Sequence, residues 1–181
     1  MVDEEFYIGE FGDQRLKKNG AKFLRQMVKH KNVCLRRLGN DRAGEMRFGR
    51  GLSNPKVTPE EIAREGCVRT GRLAAGAHVL ALHDTSELNF QAHAASTSGL
   101  GRVGNGKDVG LFIHPMLVVD ALSRSCIGLA HQHSWIRDKV AGDHSKLAIE
   151  DKESYRWIQV AQAGKDCLKQ AAMVTIIADR E

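Results

Sequence analysis

Four apolar runs after residue 76 constrain the fold more than any other feature. They are 77–82 (AHVLAL), 111–122 (LFIHPMLVVDAL), 126–135 (CIGLAHQHSW) and 173–178 (MVTIIA). Each reads as a candidate buried strand, and none approaches the roughly 18–20 apolar residues that cross a bilayer. Between the third and the last run, residues 145–171 predict a helix with Ile149, Trp157, Val160 and Leu168 on its buried side. Residues 91–110, rich in Gly, Ser and Ala, and the polar stretch 137–146 read as loops. The expected order is β-β-β-α-β. Its last strand is entered from a helix, as a crossover to a parallel strand requires.

The first 75 residues read differently. Asp13 is a good N-cap for a helix running toward Lys29, with Leu16, Phe23, Leu24, Met27 and Val28 at helical spacing. Gly20 weakens that helix by about 1 kcal/mol relative to Ala. A second helix covers about 41–52, and Asn54-Pro55 breaks the chain. Thr58-Pro59-Glu60-Glu61 then opens a third, with a threonine cap, proline at the first position and glutamate three residues after the cap. The chain is therefore α/β, with a helical domain over 1–75 and a sheet-containing domain over 76–181.

Charge separates the same two parts. Residues 14–59 hold thirteen lysines and arginines against Asp41 and Glu45 alone, a net +11, while the remainder is net −6. Such a block is either a solvated helical face or the footprint of a polyanion-binding module. Cys34, Cys67, Cys126 and Cys167 form no CxxC pair, and the acidic start MVDEEFYIGEFGDQ is not a secretory signal. Together these read as reduced thiols of a cytoplasmic protein with no membrane partner.

Two apolar runs end in aspartate, VLALHD at Asp84 and VTIIAD at Asp179. If those strands are parallel neighbours, both carboxylates emerge at one edge of the sheet, where α/β proteins place ligands. Paired carboxylates are hard-oxygen ligands suited to Mg²⁺ or Mn²⁺. Aspartate is also a common turn residue, and each could simply close the turn that follows. Three other patterns carry less. GLGRVG at 99–104 matches the dinucleotide fingerprint by letters but lies before a strand rather than between a strand and a helix. His131 and His133, near Cys126, lack a second ligand pair at zinc spacing. His83 points to the face opposite Asp84 and reads as packing.

In order along the chain, GDQRL (12–16), SNPKVTPEEI (53–62), LHDTSEL (82–88), TSGLG (97–101), FIHPMLVVD (112–120), GLAHQHSW (128–135), KESYRW (152–157) and IADRE (177–181) resemble a family. It is the bacterial insertion-sequence transposases of the transposon-five-like group. The resemblance covers nearly the whole chain from about Glu10. It implies a small helical DNA-binding domain, followed by the N-terminal part of a ribonuclease-H-like catalytic domain. It implies that Asp84 and Asp179 are the first and second catalytic, metal-binding acids of a two-Mg²⁺ site. The implied partner is double-stranded DNA at transposon ends, with Arg50 matching the arginine of the family's Arg/aromatic motif; from the basic block Arg15, Lys17, Lys18, Lys22 and Arg47 are also expected to contact DNA. A homodimer of the intact family and a nucleoid-associated location are implied with it.

This sequence departs from the family's pattern in three places. The third acid, a glutamate within Y-x₂-R-x₃-E-x₆-K, has no counterpart here, so the resemblance implies an incomplete, fragment-like catalytic domain. Asn19 stands where the family often has arginine, and Gly51 where it often has an aromatic residue. Two functions follow as expectations: a transposase that cleaves DNA and transfers strands, or a catalytically inactive DNA-binding protein derived from one.

Overall fold

A computed structural model describes residues 7–137, 148–152 and 154–178. It divides into two compact units at Gly66/Cys67. The protein is mixed α/β, with helices and a six-stranded mixed sheet. Among the described residues no helix is long and apolar enough to cross a membrane.

The first unit contains α1 (Gln14–His30), α2 (Leu35–Leu38), α3 (Arg42–Leu52) and the start of α4 (Pro59–Leu73). Local chemistry starts these helices where the sequence expects. Asp13 Oδ1 accepts from the Arg15 N–H at 2.8 Å, Asp41 Oδ1 from the Gly44 N–H at 2.6 Å, and Thr58 Oγ1 from the Glu61 N–H at 3.2 Å. The reciprocal half of the capping box at α4 is replaced. Glu61 accepts instead from the Glu10 N–H at 2.9 Å and pairs with Arg64 at 2.8 Å. The Arg64 hydrogen bond, then that from Glu10, hold its carboxyl down at about 2.

Phe11, Ala21, Leu38 and Phe48 form the core of this unit, with the Phe23 and Phe48 rings 5.2 Å apart. Gly20 costs helix propensity but gives room. A Cβ there would meet Ile8 Cγ1 at 2.6 Å. The sequence reading missed α2. It is a single turn joined to α3 by Gly39-Asn40-Asp41, and this corner is close-packed: a Cβ on Gly44 would lie 2.0 Å from the Gly39 carbonyl oxygen.

The second unit is built on β4 (Asp108–Asp120). β1 (His78–His83), β2 (Ser86–Asn89), β3 (Gly101–Val103) and β5 (Cys126–Trp135) all pair with it antiparallel. β6 (Met173–Ala178) pairs with β1 in parallel, from His78↔Met173 to His83↔Ala178. The four expected strands are therefore present, and β4 starts three residues earlier than expected. The expected loop at 91–110 instead contains β3 and a 3-10 turn, Gln91–Ser96. GLGRVG runs into that strand and opens no helix.

The helix expected over 145–171 is shorter, α5 (Tyr155–Cys167) after a 3-10 turn at Ile149–Asp151. Val160 and Leu168 pack with Val79, Ala81, Met116, Val118 and Ala130 in one core. The last turns of α4 belong to this unit. Ala74 is in the core, and Thr70 is buried against Gly128. That is why the units divide at 66/67, earlier than residue 75.

Gly44→Ala forces a Cβ onto a backbone oxygen, and overpacking of this kind costs about 1–3 kcal/mol. Thermal denaturation of the full chain should show a lower midpoint for the transition that carries α1–α3. An unchanged midpoint would mean that this corner is looser than the structure describes.

Candidate functional site

Two features carry functional chemistry, one in each unit. In the first, Arg15, Lys18, Lys22, Arg25 and Lys29 follow one another at three- and four-residue spacing along α1 and are all exposed. That spacing puts them in a single stripe, about 21 Å long at 1.5 Å per residue, on a helix that contains no acid. The packed residues Leu16, Gly20, Phe23 and Met27 repeat on the other side.

Of the six residues expected to touch DNA, Arg15, Lys18 and Lys22 lie on this stripe. Arg47 and Arg50 are exposed on α3, with the Arg47 guanidinium 5.2 Å from the centre of the Phe48 ring. Lys17 is placed differently. It is half-buried, forms an ion pair with Glu10 and sits 4.1 Å over the Tyr7 ring. It ties the N-terminal segment to α1 and does not join the stripe. Asn19 and Gly51, two of the three positions where the sequence departs from the pattern it resembles, meet each other. A Cβ on Gly51 would lie 2.3 Å from Asn19 Nδ2, which also approaches the Arg47 carbonyl at 3.5 Å.

In the second unit, Asp84 is exposed directly after β1, and its Oδ1 accepts from the Thr85 N–H at 2.7 Å. The strand placement expected for the aspartate pair holds to this extent: β1 and β6 are parallel neighbours, in register to His83↔Ala178. Asp179 lies outside the described residues. Mg²⁺ takes oxygen ligands in an octahedral arrangement. The carboxylate of Asp84 is the right kind of donor, yet among the described residues no three of His, Cys, Asp and Glu are grouped to hold a metal. Among the described residues His131, His133 and Cys126 belong to no such group either. His133 stacks on Trp135 instead, with ring centres 5.6 Å apart. Glu87, another nearby acid, accepts from the Gly104 N–H at 2.6 Å.

The backbone at Asp84 is unusual. β1 pairs with β4 as far as His83↔Met116, and β2 resumes the same register at Ser86↔Ile113. Asp84 and Thr85 therefore fall in a two-residue gap, opposite Pro115 and His114. Proline has no N–H to donate to a ladder. Side chains bridge the gap. His83 Nδ1 is 3.0 Å from His114 Nε2, and His114 Nδ1 is 2.9 Å from Thr85 Oγ1. His83 and His114 are buried, and the Trp157 ring lies 4.8 and 4.6 Å from theirs. The sequence reading placed His83 in packing, as found. It passed over His114 and Thr85, whose one signal was a proline inside an apolar strand.

An apolar groove of about 650 Å³ opens between α5 and β6, reaching His83 and lined by Met116, Trp157, Ile158, Leu168, Val174 and Ile176. No protein-family model matches this chain.

Burial pushes His114 down to about 4, with His83 adding to the effect, and also lowers His83, His131 and His133. Unfolded, each would take up its proton near pH 6.5. The unfolded state therefore binds more protons below that point. Stability is complete above about pH 6.5 and falls as pH drops toward 4, by at most about 1.4 kcal/mol per pH unit for each histidine. Urea midpoints of the full chain should fall between about pH 7 and pH 5, with a shallower dependence in His114→Gln. A flat wild-type profile would mean that these rings are solvated.

Proposed function

We propose that this chain is a transposase-type DNA-binding protein, with residues 14–59 holding duplex DNA through its phosphates. One observation carries this reading: the exposed, acid-free stripe of Arg15, Lys18, Lys22, Arg25 and Lys29 on α1. Five cations on one helix face oppose a backbone bearing one charge per about 1.7 Å of duplex, and each neutralised phosphate releases counterions. Support also comes from Arg47 and Arg50, both exposed on α3. On this reading the second unit is a ribonuclease-H-like domain with Asp84 and Asp179 as its two acids, and the parallel pairing of β1 with β6 supports it.

Mg²⁺ bound there would supply a Lewis acid that activates an attacking oxygen and offsets charge on the phosphorus. The part assigned to this chain is to hold carboxylate oxygens at a fixed place beside the scissile phosphate. A second reading is a catalytically inactive DNA-binding protein, since the exposed stripe on α1 would hold duplex whatever the second unit does.

Duplex binding by the full chain should weaken with salt, log K against log [salt] sloping about −4 to −5 for 4–6 phosphate contacts. Replacing Lys18 and Lys22 together by Ala should reduce that slope by about 2, and Arg50→Ala should weaken binding further. Salt-independent binding, or none, would overturn the DNA-binding proposal. Incubation with supercoiled plasmid and Mg²⁺ separates the two readings. Nicking that disappears in Asp84→Ala supports the enzyme. DNA retention without nicking supports the binding protein.

A further inference from the structure

We infer that His114 is a positioning residue for Asp84: through His83 on one side and Thr85 on the other, its imidazole fixes the backbone that carries the carboxylate. This rests on the proposed reading of Asp84 as a metal ligand. It adds two residues, His114 and Thr85, that the reading does not contain.

The geometry gives the reason. A strand residue is normally held by its ladder hydrogen bonds, and Asp84 sits where that ladder is interrupted. The register is continuous across the gap, from His83↔Met116 to Ser86↔Ile113, so the chain neither bulges nor leaves the sheet. What it lacks over two residues is ladder pairing, opposite a proline that cannot donate. A two-residue gap with only water for partners would let the Asp84 carboxylate wander.

Here both flanking residues are bound to one side chain of the neighbouring strand, at 3.0 and 2.9 Å. That side chain has no freedom of its own. His114 is fully buried, flanked edge-on by Trp157 of α5 and backed by the central strand. Neutral imidazoles suit the chain of contacts. One shared proton serves the His83–His114 contact, and the Thr85 hydroxyl can complement whichever role His114 Nδ1 takes. The arrangement leaves Asp84 as the one exposed member between two anchored neighbours. Fixing a ligand by the groups behind it is how metal sites gain affinity, and loss of such a group typically costs 10–100-fold.

The test uses the full chain with Mn²⁺ as the only probe. Free Mn²⁺ is followed by electron paramagnetic resonance, and amide hydrogen exchange is followed over residues 83–89. Thr85→Val removes the hydroxyl while keeping the shape. Thr85→Ser keeps the hydroxyl, and His114→Phe removes both ring nitrogens. Mn²⁺ affinity should fall about 10–100-fold in Thr85→Val and His114→Phe, and stay within about twofold in Thr85→Ser. Exchange at Ser86–Asn89 should quicken about tenfold or more in the two disabling variants, with β5 unchanged. Affinity lost in Asp84→Ala but retained in Thr85→Val would overturn the positioning role and leave the metal reading standing. If wild type binds no Mn²⁺, or Asp84→Ala binds as well as wild type, the metal reading fails. The exchange data then decide alone: unchanged exchange in Thr85→Val and His114→Phe overturns the inference, and quickened exchange supports it.

Discussion

The second unit depends on β4 being shared. Four strands pair with this one thirteen-residue segment, and β6 is joined to it through β1. Its inward side chains, Phe112, His114, Met116 and Val118, are all buried, so a register slip of one residue would turn the core outward. A central strand this long tolerates one proline only where a neighbour can do without an N–H. Pro115 keeps its place against Gln132 of β5, and the interruption falls on the other side, at Asp84 and Thr85. The ladder of the opposite chain is thus interrupted where it faces this one proline, and the residue facing it is an exposed acid.

Much of this was legible in the sequence wherever the cause is local. Asp13, Asp41 and Thr58 cap helices because a short oxygen-bearing side chain reaches N–H groups two or three residues on, whatever the tertiary context. The four apolar runs became strands because nothing else buries them. β2 and β3 escaped notice because their content is not apolar: Ser86–Asn89 is exposed at every position. Those strands exist because β4 is longer than β1 and offers unpaired backbone beyond it. The expected helix over 145–171 was too long because Ile149 shares the periodicity of Trp157 and Val160, yet is more than half exposed in a separate 3-10 turn.

The site was legible by composition more than by geometry. The basic block of 14–59 is plain in the sequence, and the exposed stripe accounts for five of its charges. Lys17 could not be sorted from Lys18 without the fold, because its partners, Glu10 and Tyr7, come from the segment preceding the helix. Asp84 stood out as a strand-ending acid. His114 could not be connected to it, since the two are thirty residues apart and meet only through the β1–β4 register. Asn19 and Gly51 read as two unrelated positions when taken one at a time in the sequence. In the fold they are one contact, a polar amide filling the space that a side chain at 51 would need.

The sheet edge shows how burial and exposure divide the labour within the second unit. On the α5 side, Val79, Ala81 and His83 of β1 are sealed beneath the helix, while the corresponding positions of β6, Val174, Ile176 and Ala178, stay exposed along the groove. β1 is therefore held from both flanks and from above. β6, with β1 as its ladder partner among the described residues, is held from one flank. An aspartate placed after β1 inherits a rigid platform: a ladder up to His83, a buried imidazole pair behind it and Trp157 over that pair.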